Sequence, residues 1–254
     1  MWSGEYNFVL QNLVLKDFRI RYRNMSLGVL WSLLNPIVMM AVLTFVFTVV
    51  IPNSTTPNFP LFVLCGIVPF NFFSIGWISG TTSLIDNANL VKRVPLPREI
   101  IPVASVLSNT LHLLIQIGLL LGLALWYGKG INIYWFWLPE VWILEVILVC
   151  GMALVFSSLN VYTRDIRYLV ESVSQVLFYL VPIFYAFPPS SKNFAVIYDY
   201  NPLAAVVFAL RFILLSGAPP PASLLRNLFC GSILMLMFGF FVFGRLKRGF
   251  YNHL

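Results

Sequence analysis

General acid–base chemistry has little to draw on in this sequence: among 254 residues there are two histidines, His112 and His253, and nine Asp and Glu. His112 and Glu145 stand out because both fall inside long apolar runs, where an ionisable side chain is costly and marks a function or a specific partner. At about 1.5 Å of rise per residue, the two reach a similar depth on neighbouring antiparallel segments. They can therefore meet, either as a hydrogen-bonded pair that holds two helices together or as a titrating relay. The second reading defines a proton-coupled secondary carrier. Phosphate chemistry has no cradle here: G-x-x-x-x-G-K-[ST] is missing, and the nearest approach, Gly122 to Lys129, has one residue too many between its glycines and continues with Gly130. H-E-x-x-H, G-x-S-x-G and C-x-x-C are missing too. Cys65, Cys150 and Cys230 lie far apart in apolar segments, without metal-ligand spacing, and are expected to be buried free thiols.

The elements that position these groups follow from composition. Hydrophobic residues make up 59% and charged residues 10%, against roughly 45–50% and about 25% in soluble domains. Apolar runs long enough to cross a bilayer recur along the chain. Six spans are expected, at about 27–51, 61–84, 100–126, 138–160, 169–187 and 222–244, with Pro36, Pro69 and Pro182 as kinks within them. This is an all-α integral membrane protein in two parts, an interfacial helix over 1–23 and a six-span transmembrane domain over 24–254. Met1 to Arg23 is charged throughout and does not read as a cleavable signal.

With the N-terminus in the cytoplasm, all but Lys129, Lys192, Arg211 and Arg226 of the 16 Lys and Arg residues fall on the inner side. That asymmetry fixes the orientation and places both termini inside. The net charge of +7 is thus explained by topology and does not call for nucleic acid. Trp126, Tyr127, Tyr134, Trp135 and Trp137 bracket the second outer loop as interfacial anchors. Leu203 to Leu215 is apolar but too short to span, and Arg211 interrupts it, so a re-entrant or interfacial outer segment is expected between the fifth and sixth spans.

Two inner-side segments carry more information. Along residues 1–23, Glu5, Asn12, Lys16, Arg19 and Arg23 form a polar stripe opposite Trp2, Tyr6, Val9, Leu10, Leu13 and Ile20, the pattern of a helix lying along the inner leaflet. Phe8, Leu15, Phe18 and Asp17 depart from it. In the loop from Asp86 to Glu99, Asp86 can cap a short helix that Pro95 and Pro97 then end. Lys92, Arg93 and Arg98 would project from it, as a docking knob or as an ordinary charged loop. Gly76-x-x-x-Gly80 and Gly118-x-x-x-Gly122 read as close intrachain packing.

Asp17-Phe-Arg-Ile-Arg-Tyr-Arg-Asn-Met-Ser-Leu-Gly-Val-Leu-Trp-Ser-Leu-Leu-Asn-Pro36 resembles the N-terminal signature of type-2 ABC exporter permeases for O-antigen, capsule and teichoic-acid precursors. Asn89-Leu-Val-Lys-Arg-Val-Pro-Leu-Pro-Arg-Glu-Ile-Ile-Pro102 resembles that family's first cytoplasmic loop, and Asn160 to Leu169 its second. Asn201-Pro202 followed by Arg211 is a further match, whereas Leu96 and the ending Tyr251-Asn-His-Leu254 depart from the common pattern. The resemblance implies a bacterial inner-membrane complex of two copies of this chain with two separate ABC ATPase subunits, which bind the ATP and Mg. This chain would hold no cofactor of its own. Asn89, Leu90, Lys92, Arg93, Pro95, Pro97, Arg98 and Glu99, with Arg164 and Asp165 of the second loop, would couple to the ATPase. A lipid-linked glycan would pass through a channel between the two permeases, lined by the first and fifth spans. Trp31, Phe45, Phe47, Phe178, Tyr179, Phe184, Tyr185 and Phe187 offer aromatic faces there for sugar rings. A membrane-embedded glycosyl transferase is disfavoured, since the inner loops offer only Asp86, Glu99 and Asp165 as acids.

Overall fold

Helix α3, Phe59–Asp86, organises the structure, a computed structural model that describes residues 3–23, 28–50, 57–93, 96–185 and 201–250. Its 28 residues span about 42 Å at 1.5 Å each. Leu61 through Phe70 are all buried, as expected of a helix that is apolar all round and central to a bundle. Pro60 sits in the first turn, where its missing N–H costs nothing. Around α3 pack α2 (Trp31–Val50), α5 (Ile100–Trp126), α6 (Leu138–Tyr162) and α7 (Ile166–Leu180). Pro36 and Pro69 lie inside α2 and α3, which continue through them.

Helix α1, Ser3–Tyr22, lies against α5, with Tyr6, Val9, Leu10, Leu13 and Val14 packed on Ile100, Ile101 and Ala104. Ile20, assigned to the apolar face, is instead exposed. The short α4, Ala88–Arg93, leads to α5, while α8, Pro202–Arg211, and its wider-wound extension Phe212–Ser216 lead to α9, Ala222–Leu246. Asn201 caps α8 by accepting from the amides of Leu203 and Ala204. Gly217, at φ +60°, supplies the left-handed residue that ends the segment.

Among the described residues, five helices are long and apolar enough to cross a membrane: Trp31–Val50, Phe59–Asp86, Ile100–Trp126, Ile133–Tyr162 and Ala222–Gly249. The expected span over 169–187 differs. Its helix, α7, has 15 residues, about 22 Å at 1.5 Å each, and stops at Leu180. Pro182 ends it instead of kinking it, because the residue before a proline is pushed to extended backbone and Val181 sits at φ −76°, ψ 135°. Residues 186–200, Phe187 among them, lie outside the described residues.

The two glycine motifs part company. Gly76 and Gly80 face Val149 and Ala153 of α6, as expected, whereas a Cβ added at Gly118 or Gly122 would meet no atom of a neighbouring element within 4 Å among the described residues. The tight crossing is one the motif search did not find: Gly151 of α6 and Gly239 of α9 meet backbone to backbone, and a Cβ on Gly239 would stand 2.5 Å from the Gly151 carbonyl oxygen. Two glycines on different helices have no shared spacing to read. Cys65 and Cys150 are buried and Cys230, expected to be buried, is exposed on α9, a helix with few buried positions along its length.

Candidate functional site

A groove of about 680 Å³ opens between α2, α3 and α7. Helix α2 contributes Asn35 and Met39, α3 contributes Phe70, Asn71, Ser74, Ile75 and Ile78, and α7 contributes Glu171, Ser174, Gln175, Phe178 and Tyr179. On α7 these fall at i, i+3, i+4, i+7 and i+8, one continuous stripe of a 3.6-residue helix. Ser74 and Ser174 share a hydrogen bond of 2.7 Å that ties α3 to α7, and Arg167 donates from Nε to Glu171 at 2.9 Å along α7. The Asn71 amide nitrogen has no partner among the described residues. Amides, hydroxyls and a carboxylate thus line an otherwise apolar membrane groove beside aromatic rings. Sequence reasoning missed Asn35, Asn71, Glu171 and Gln175. The signal was the polar residues recurring at helical spacing within apolar runs, which a search for ionisable groups alone passes over.

The rings continue beyond the groove. Phe178 lies 5.3 Å from Phe70 and 6.0 Å from Phe184, and Phe184 stacks on Phe47 at 5.3 Å. Phe47 reaches Phe59 at 6.0 Å and Phe59 stacks on Phe62 at 5.9 Å. The Tyr185 hydroxyl donates to the carbonyls of Tyr179 and Leu180 at 2.9 and 3.0 Å, folding the end of α7 back on itself. Of the rings expected to line a channel, Phe47, Phe178 and Phe184 are half-buried in this ladder. Tyr179 stands 67% exposed, and Trp31 and Phe45 are 48% and 58% exposed on α2. Trp31, Asn35, Val38, Val42, Phe45 and Val49 form one exposed stripe of α2 at helical spacing.

At the basic end of the bundle, α3 runs through Asp86, so Asp86 closes that helix and does not cap the next; Asn87 makes the turn, and its carbonyl accepts from Leu90 and Val91. Asn89 and Lys92 are exposed, and Leu90 packs into the inner cluster. Pro95 and the Arg93 side chain lie outside the described residues, while the Pro97 carbonyl accepts from the Ile100 amide. Arg98, expected to project outward, turns back onto the chain: its Nη1 donates to the Lys247 carbonyl at 2.7 Å and its guanidinium lies 6.0 Å from the Phe250 ring. Lys247 in turn reaches Glu99 at 3.9 Å, and the Tyr162 hydroxyl donates to the Leu246 carbonyl at 2.8 Å. Carbonyls at the end of α9 and in the turn after it thereby bind it to both inner loops. Lys16 of α1 donates to Asn87 at 2.7 Å. Burial, and secondarily the Glu99 carboxylate, push the Tyr6 hydroxyl pKa above its ordinary value. Arg164 and Asp165 are exposed in the α6–α7 turn.

The two intramembrane ionisable residues do not share a hydrogen bond. The His112 ring lies 5.4 Å from Phe18 of α1, whereas Glu145 is 0% exposed and its oxygens accept no hydrogen bond from the described residues. The expected hydrogen-bonded pair is therefore not formed, since rotation about the helix axis, as well as depth, decides which side chains meet.

Known proteins resemble this chain along most of its length. An O-antigen export system permease protein of Klebsiella pneumoniae is 31% identical over 92% of this chain and 90% of its own. The protein of the same name from Myxococcus xanthus is 26% identical over 91% and 90%, and a polysialic acid transport protein of Escherichia coli is 26% identical over 82% and 81%. The ABC-2 type transporter family profile matches residues 9–215, and the chain belongs to that family of membrane transporters.

Proposed function

We infer that this chain is the permease subunit of an ATP-driven exporter that moves a lipid-linked polysaccharide out across the bacterial inner membrane. The observation that carries this is the groove between α2, α3 and α7, whose amides, hydroxyls and aromatic faces are the chemistry a sugar chain needs: hydrogen-bond partners for hydroxyls and apolar planes for ring faces. The names of the relatives point the same way. Two copies face each other, and the exposed stripe of α2 and the outer face of α7 enclose the passage. The basic end lies in the cytoplasm, as the charge asymmetry requires. Helix α7 with residues 181–185 makes a sixth crossing, α8 with its extension re-enters from the outer face, and α1 lies at the inner leaflet beside α5.

Lys92 and Asn89 on α4, with Arg164 and Asp165, face a separate ATPase that binds ATP and Mg. Arg98 and Glu99 pass its motion to α9 through Lys247. The proton-coupled carrier is without support, since Glu145 accepts no hydrogen bond from His112 and the relatives are named as polysaccharide transporters. The test is export in vesicles holding the chain with and without its ATPase. Transport that depends on ATP and on the second subunit, and survives an uncoupler, is expected. Transport without the ATPase, or its collapse by uncoupler at constant ATP, would overturn the reading.

A further inference from the structure

At the end of the bundle opposite α4, a cavity of about 270 Å³ is lined by Asn58, Phe62, Lys129, Arg211, Leu215 and Ser216, with Pro57 at its edge. Three sources of positive charge converge on it. Arg211 is 7% exposed; its Nη2 donates to the Ile183 carbonyl at 2.8 Å and, more weakly, to Phe62 at 3.4 Å, and its guanidinium carbon lies 3.5 Å from the centre of the Phe62 ring. A guanidinium carries five N–H donors, and the Arg211 Nε–H finds no acceptor among the described residues. Lys129 donates to the Leu215 carbonyl at 2.7 Å, which leaves further donors of its ammonium for a ligand. The third source is the N-terminus of α3, a 28-residue helix whose cap residue Asn58 makes no side-chain cap and lines the cavity together with Phe62, which sets the positive end of the helix dipole beside it.

Two cations in one cavity with no carboxylate among its described lining residues repel each other, and the low dielectric strengthens that repulsion. An anion relieves it. The cavity is also fixed in place: the Asn132 amide donates to the Ile213 carbonyl at 3.2 Å, which pins the α5–α6 turn carrying Lys129 to the end of α8. Its volume lies just below the roughly 300–1,000 Å³ of small-molecule sites, the scale of one headgroup. Guanidinium and ammonium donors beside the positive end of a helix dipole match the charge and several oxygens of a phosphate better than the two oxygens of a carboxylate.

We propose that Lys129, Arg211 and the start of α3 form a binding site for a phosphate or pyrophosphate group. The exporter reading enters only in placing this site at the outer leaflet. The aromatic ladder that begins in the groove ends at Phe62, under Arg211, so a phosphate-headed lipid arriving along it would be held at the exit. The same chemistry would accept free phosphate.

The test uses the full-length chain, extracted in a neutral detergent with whatever subunits accompany it. Two probes are titrated: radiolabelled inorganic pyrophosphate, and a short-chain phosphatidic acid followed by native mass spectrometry. Because an accompanying ATPase binds phosphates too, the reading is the difference between wild type and Lys129→Gln, which keeps a donor for Leu215 but removes the charge. Arg211→Gln is the companion, with thermal stability measured alongside because Arg211 also braces Ile183. At least tenfold weaker binding in Lys129→Gln supports the site; loss for both probes assigns it to any phosphate, and loss for the lipid alone assigns it to a headgroup. Unchanged binding of both probes in Lys129→Gln overturns it, whatever Arg211→Gln does. Export measured on the same preparation separates the two claims: vigorous ATP-driven export with no difference in binding ends this proposal and leaves the exporter standing.

Discussion

The Gly151–Gly239 crossing makes a quantitative demand. A methyl group added at Gly239 would stand 2.5 Å from the Gly151 carbonyl oxygen and 3.2 Å from its carbonyl carbon, whereas a relaxed C···O contact is about 3.3–3.6 Å. Both close atoms are backbone, so no side chain can rotate away and α6 and α9 must separate by about 1 Å. A radial gap of about 0.5–1 Å forfeits a quarter to a half of each dispersion contact it opens. Overpacking of this kind costs about 1–3 kcal/mol, and for Gly239→Ala we expect the upper part of that range, because α6 and α9 share one of the most extensive helix interfaces in the structure. Gly118→Ala is the matched control: none of the described neighbouring residues lies within 4 Å of its added carbon, so only the helix preference for Ala over Gly, about 1 kcal/mol, remains. The assay is thermal unfolding in detergent, followed by fluorescence-detected size exclusion. Gly239→Ala should melt several degrees lower and Gly118→Ala at or above wild type. If the two variants melt alike, the backbone contact is wrong and Gly118-x-x-x-Gly122 is a packing motif after all.

Other substitutions separate the coupling elements from the passage. Arg98→Ala removes a charge-assisted hydrogen bond worth about 1.5–3 kcal/mol and should leave ATPase binding near normal while export per ATP hydrolysed falls; Lys92→Ala should weaken ATPase binding with no loss of stability, as measured by affinity capture and melting. Tyr179→Ala should lower export severalfold without changing the melting temperature, whereas Phe178→Ala, at the centre of the aromatic ladder, should lower both. Tyr6 titrates above its ordinary pKa, so the folded state holds that proton more tightly than the unfolded chain. Its contribution to stability is complete below about pH 10 and declines as pH rises toward the folded value; Tyr6→Phe should flatten that alkaline decline in a melting series.

How much of this was readable from residues depends on whether a feature lies along one helix or between two. Apolar length and charge asymmetry are one-dimensional, and the spans at 61–84, 100–126 and 138–160 match α3, α5 and α6 closely. The short helix before Pro95 was also visible, since prolines punctuate locally. Pairings that depend on helix rotation were not: Glu145 and His112, expected at one depth, do not share a hydrogen bond, and Arg98 turns onto the Lys247 carbonyl from the far end of the sequence. The groove sat between these cases. Its aromatic residues Phe178 and Tyr179 were found, but its polar stripe required asking which face of α7 carries Glu171, Ser174 and Gln175.

The central claim, that a polysaccharide passes along the groove of α2, α3 and α7, is tested most directly by cross-linking during transport. A photoreactive phenylalanine analogue is placed at Tyr179, exposed at the groove, or at Ile143, exposed on α6 away from it. Vesicles holding the complete transporter and a radiolabelled lipid-linked polysaccharide are then illuminated with and without ATP. Label is expected on the chain altered at Tyr179, changing in yield when ATP is added, and at background level on the chain altered at Ile143. Equal labelling at both positions, or labelling at Ile143 alone, would contradict the account.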